Sequence, residues 1–133
     1  MSDIEVLRND HDALREAIEA LRAALVKVSY IEIVETRYRL LAGLVATHLR
    51  REGAVLRPHA GHRLAVAKSG VECASPDVLL RELELLFSAW RATPTSILAL
   101  HICRLLDELR ERLAQEEREL FPVLEADVPV GAV

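Results

Sequence analysis

His48 and Glu52 stand four residues apart in a segment with helical periodicity, so an imidazole and a carboxylate share one face, about 6 Å apart. One helix can offer two ligands to a single metal ion in this way. His11 belongs to an earlier segment. With the intervening turn near Ser29, His11 is 18 residues before it and His48 is 19 after it. At about 1.5 Å per residue, the two imidazoles are nearly level on antiparallel neighbours. Glu116, four residues after Arg112, adds an inward carboxylate from the last segment. Bundle cores use such donors to hold non-haem iron or manganese. Unpartnered, each buried carboxylate would cost on the order of several kcal/mol or take up a proton. Arg112 admits another arrangement, in which its guanidinium fills the space of a cation and pairs with Glu52 and Glu116. The residues leave both open: a mononuclear site of two histidines and two carboxylates, or a metal-free, salt-bridged core.

Four helices are needed to position these groups. Helix A is predicted from about Ser2 to Val28, opened by a Ser2-x-x-Glu5 capping signal. Its apolar stripe is Ile4, Leu7, His11, Leu14, Ile18, Leu21, Leu25 and Val28, with histidine at one inward place. Helix B runs from about Glu32 to Leu56, with Val34, Tyr38, Leu41, Val45, His48, Glu52 and Val55 inward. Residues 58–75 read as a loop with about one helical turn. Helix C starts at Ser75-Pro76, with serine as N-cap, and runs to about Arg91. Thr93-Pro94 breaks the chain. Helix D runs from about Thr95 to Glu125, bent near Pro122, with Leu98, Ile102, Leu105, Leu109, Arg112, Glu116 and Leu120 inward. Short A–B and C–D connections make this an all-α, up-down-up-down antiparallel four-helix bundle over residues 1–126, with a flexible tail at 127–133.

Composition agrees. The 133 residues suit one domain, 51% are hydrophobic, and Leu, Ala, Glu and Arg dominate. A net charge of -4 and a pI near 5.7 give no general attraction to nucleic acid or anionic lipid. No apolar run approaches the ~20 residues of a membrane span, and no signal-peptide pattern opens the chain, so the expected location is cytoplasmic. Cys73 and Cys103 lack CxxC spacing and read as small hydrophobes. Cys73 as a soft ligand is a lesser alternative. His59 and His62 fall in the loop, where solvent exposure is expected, although a loop histidine could complete a coordination sphere. His101 falls on or near the inward face of helix D, about 16 Å along the axis from Arg112, where Tyr38 could hydrogen-bond it or a haem could be held. No nucleophile–base pair, phosphate-binding loop or nucleic-acid motif occurs. Whether the chain is an enzyme stays open.

Asp10-His11, His48-Leu49-Arg50-Arg51-Glu52 and Glu116-Glu117-Arg118-Glu119-Leu120-Phe121-Pro122 together resemble the hemerythrin-like (HHE cation-binding) family in order, spacing and helix placement. An internal echo supports a repeated hairpin, since residues 48–58 and 112–122 share Glu, Leu and Pro at matching places. The resemblance implies that His11, His48, Glu52 and Glu116 survive as one half-site plus two former bridges. The second half-site departs from the family, because Arg112 stands at the helix-D histidine and helix C contains none. The resemblance further implies about one non-haem iron per chain, or none. The implied role is binding or sensing of oxygen, nitric oxide or peroxide, or iron handling. A metal-free bundle serving as a regulatory module, with a protein partner or as a homo-oligomer, is the alternative.

Overall fold

Ser2 and Glu5 start the first helix reciprocally: the Glu5 amide donates to Ser2 Oγ at 3.2 Å, and the Ser2 amide to Glu5 Oε2 at 2.8 Å. Two amide donors that a helix start would leave orphaned are thereby satisfied. The computed structural model describes residues 2–27, 30–58 and 74–126. Its elements are α1 (Asp3–Val26), α2 (Ile31–Leu56), α3 (Pro76–Ala92) and α4 (Ser96–Gln115), then a π-helical turn (Glu116–Leu120) and the short α5 (Phe121–Ala126). Among the described residues the chain is all-helical, with four long helices and no strand. None is long and apolar enough to cross a membrane. Val28, Ser29, residues 59–73 of the predicted loop with His59, His62 and Cys73, and the predicted tail lie outside the described residues.

Each long helix packs on two others: α1 on α2 and α4, α3 on α2 and α4. Leu14, Ile18, Leu21, Val34, Leu41, Leu83, Phe87, Ile102, Leu106 and Leu109 build the main core. Tyr38 stacks on Phe87 with ring centroids 4.0 Å apart, and Trp90 meets Phe87 edge-on at 6.1 Å. A smaller cluster of Leu7, Leu120, Phe121 and Leu124 forms separately. His11 falls between Leu7 and Leu14 on one helix, and Glu116 between Leu113 and Leu120 on another. A polar layer therefore separates two apolar ones.

The last helix contains a π turn just before Pro122. Pro122 lacks an amide hydrogen, and its ring would crowd the carbonyl of residue 118 in a regular helix. The chain responds upstream, where the Phe121 amide bonds to the Glu116 carbonyl five residues back. One widened turn absorbs the conflict. It also puts Leu120 and Phe121, adjacent in sequence, both in the interior.

One expectation gains a detail and another changes. Ser75 occupies the N-cap of α3 with Pro76 at its first turn, but the Ser75 hydroxyl donates to Asp77 Oδ1 at 2.6 Å instead of accepting from a backbone amide. His101 is exposed beside Glu82, Leu85 and Arg104, not inward. The buried positions of α4 pair up as Ile102–Cys103 and Leu105–Leu106, which turns His101 outward and removes it from any core haem position. Cys103 is free and buried, and burial pushes its thiol up from the ordinary range.

Candidate metal centre

His11 on α1, His48 on α2 and Glu116 in the π turn are 0%, 1% and 0% exposed, and Glu52 on α2 is 8% exposed. The counting that made the two histidines level is matched by a distance of 3.2 Å between His11 Nε2 and His48 Nε2. Glu116 Oε1 lies 3.2 Å from His11 Nε2 and 3.8 Å from His48 Nε2. Ligand atoms of His11, His48 and Glu116 all fall within 4.8 Å of one another, a buried group that could hold a metal ion. Glu52 is not part of that group and meets it at His48 Nε2, 3.1 Å from its Oε2.

The outer nitrogens explain why the inner ones converge. His48 Nδ1 faces Asp10 Oδ2 at 3.2 Å, and His11 Nδ1 faces Glu117 Oε1 at 3.3 Å. An ionised carboxylate only accepts, so each Nδ1 must carry the hydrogen and donate it. Whenever such an imidazole is neutral, its lone pair lies at Nε2. Arginines fix both carboxylates in turn: Arg51 pairs with Asp10, and Arg15 Nη1 donates to Glu117 Oε1 at 2.8 Å. Each relay crosses a helix interface and returns. His48 and Arg51 of α2 clasp Asp10 of α1, while His11 and Arg15 of α1 clasp Glu117 of the π turn.

The Nε2 atoms of both imidazoles and Oε1 of Glu116 thus face one buried point, with Glu52 Oε2 beside His48. Glu116 Oε1 and Glu52 Oε2 have imidazole nitrogens at 3.2 and 3.1 Å, yet neither receives a well-directed hydrogen bond among the described residues. Acceptors packed this closely are stable together only around a proton or a cation. Burial by itself would depress the His48 imidazole, but the carboxylates of Glu116, Glu52 and Asp10 outweigh it and hold it at about 10. Glu116 shows the converse: burial pushes it up, while His11, His48 and the Arg112 guanidinium bring it down to about 2. The donor set fits a divalent ion, with two nitrogens and carboxylate oxygen in a buried pocket of orienting hydrogen bonds.

Arg112 is brought to this cluster, its Nε donating to Glu116 Oε2 at 2.9 Å. Its expected pairing with Glu116 is present, and Glu52 approaches His48. Phe121 closes the site below His11, with ring centroids 4.9 Å apart. Asp10 and Glu117 were not expected as orienting groups. The signal was their adjacency to His11 and Glu116, with arginines at 51 and 15 on the facing helices.

If Asp10 orients His48 for a metal, Asp10→Ala lowers divalent metal affinity by about 10–100-fold, measured by chelator competition with Co2+. Unchanged affinity would show that the His48–Asp10 contact has no part in metal ligation.

Compared with models of known protein families, with curated proteins and with solved structures, the chain matches none of them.

Proposed function

We propose that this chain is a hemerythrin-like bundle that holds one non-haem iron ion through His11, His48, Glu116 and Glu52. The observation carrying the reading is the convergence of two Nε2 atoms, each oriented by a carboxylate at Nδ1, on the buried oxygens of Glu116 and Glu52. Cross-helix pairs support the up-down-up-down arrangement. Partner numbers fall on one helix as they rise on the other: Arg8 with Glu125, Arg15 with Glu117, Arg22 with Asp107, and Tyr38 on Phe87 with Glu35 on Arg91. The ordered motifs around Asp10-His11, His48 to Glu52 and Glu116 to Pro122 favour iron over other ions that accept nitrogen and oxygen donors.

The chemistry such an ion supplies is Lewis acidity and electron exchange toward oxygen, nitric oxide or peroxide, in sensing or in iron handling. The chain's own part is to hold each Nδ1 hydrogen on a carboxylate, so that an ion displacing the Nε2 proton of His48 meets lone pairs, to exclude bulk water, and to fix a single carboxylate between the histidines and Arg112. Anaerobic reconstitution with Fe2+, followed by elemental analysis after removal of loose metal, tests the reading. About one ion per folded chain is expected. A well-folded helical chain that retains no iron overturns it.

A second reading has its own observation. The Arg112–Glu116 pair places a permanent cation beside the cluster, and a proton on His48 could satisfy the remaining acceptors. The chain would then be a metal-free bundle that acts as an interaction or regulatory module, with a protein partner or a second copy. The same reconstitution separates the two readings.

A further inference from the structure

We infer that the end of the bundle remote from the metal centre carries a second site, an apolar cavity that takes an aliphatic monocarboxylate of the fatty-acid class. The inference does not depend on the metal-binding reading. Ala24 lies 13 residues after His11 on α1, and Cys103 lies 13 before Glu116 on α4, so both helices separate the cavity from the polar layer by about 20 Å. Small side chains leave the space. Leu21, Phe87 and Leu106 fill the adjoining core, whereas α1 and α4 present Ala24, Ala99 and Cys103 here. The cavity measures about 570 Å³, within the roughly 300–1,000 Å³ of sites that take small organic molecules. Trp90 forms one wall, and Val26, Ile31 and Leu100 at the rim stay 69%, 46% and 54% exposed. Apolar surface left uncovered around a cavity marks a place where an apolar molecule gains by binding.

The lining also selects the head of the ligand. Among the described residues around the cavity, Arg22 alone carries a charge. Its Nη1 donates to Asp107 Oδ1, which occupies one arm of a planar fork with five donors. Burial pushes the Cys103 thiol up and the Arg22 charge opposes that shift, so the field of the guanidinium reaches the cavity wall. A cationic head would be repelled there. A polyanion would exceed what one guanidinium, already shared with Asp107, can match. A single carboxylate suits the donors that remain. The Arg22 side chain is 34% exposed, so a head beside it keeps part of its water while the chain covers Trp90, Val26 and Leu100.

The test uses the full chain, whose single tryptophan is Trp90. Dansylaminoundecanoate, a fluorescent fatty-acid probe that accepts energy from tryptophan, is titrated in and then displaced by decanoate or by decanol. Saturable energy transfer is expected, with displacement by both competitors. Arg22→Gln is expected to weaken decanoate about tenfold, the loss of one partly screened charge-assisted contact, and decanol less than about twofold. Ala99→Phe, which fills the cavity, is expected to weaken all three ligands at least about tenfold by denying the chain its burial. Circular dichroism checks each fold, with Arg22→Met and Ala99→Leu taking the place of a variant that fails to form helix. Absence of saturable transfer overturns the inference, as does undiminished binding by the folded, cavity-filled chain. Equal effects of Arg22→Gln on decanoate and decanol, or no effect on either, overturn the anionic head and with it the ligand class. Iron retention by the same chains is read separately, so either result leaves the metal-binding reading where it stands.

Discussion

Replacing His48 with alanine is expected to abolish retention of a metal ion at one equivalent per chain. The loss should exceed the about 10–100-fold that removal of an orienting partner costs, because a donor atom itself disappears. The effect is concentrated at His48 because its two nitrogens serve three carboxylates: Asp10 at Nδ1, and Glu52 and Glu116 near Nε2. Without the imidazole, Glu52 and Glu116 lose the group that brings them to one point. His48→Gln is the informative companion, since glutamine roughly keeps the volume and can still donate to Asp10, yet supplies no imidazole lone pair. Isothermal titration with Co2+ on both variants, alongside far-ultraviolet circular dichroism, reads binding and fold separately. Two folded variants that bind Co2+ as the parent does would mean that the cluster is not where metal is held.

At the other end of the stability scale, Phe87→Ala is expected to destabilise the bundle by about 3–5 kcal/mol. Phe87 is fully buried, stacked on Tyr38 and meeting the edge of Trp90, so truncation removes both contacts and leaves a cavity between α2 and α3. Aromatic pairing adds about 0.5–1.5 kcal/mol to the lost burial. Against a net stability of about 5–15 kcal/mol for an ordinary domain, this is a large share. Urea unfolding should show the midpoint fall with little change in slope. Tyr38 lies ten residues before His48, about 15 Å along α2, so the folded fraction should bind metal as before. A cost below about 1 kcal/mol would contradict the tight packing of these three rings.

Much of this was legible in the residue order. The 3-4 spacing of leucines on each long segment identifies a buried face, and counting from a turn brings His11 and His48 level because an α-helix advances uniformly. Glu116 follows from the same periodicity. The limits of that logic are also visible. The interior face of α4 is a double row, so a single stripe drawn through it takes in Arg112 while the deeper position is Leu113, and it leaves the direction of His101 undetermined. Periodicity assumes a uniform helix, and the π turn breaks that assumption. Side-chain direction at Asp10 and Glu117 was beyond reach for another reason. Both sit at the margin of the buried face, where an arginine from a neighbouring turn decides whether a carboxylate turns inward or toward water.

The widened turn at Glu116–Leu120 changes the phase of everything after it. A residue accommodated without an added turn rotates the following segment back by roughly 100°, the angular step of one helical position. Phe121 thereby arrives under the His11 ring, and Leu124 joins Leu7. Such a turn works as a movable spacer. Loss of one residue within it would leave the two apolar layers in phase, but would return the Pro122 ring to the carbonyl four residues back and strain the turn that carries Glu116 and Glu117. At this place in the chain, a change of length could preserve the bundle and silence its polar layer.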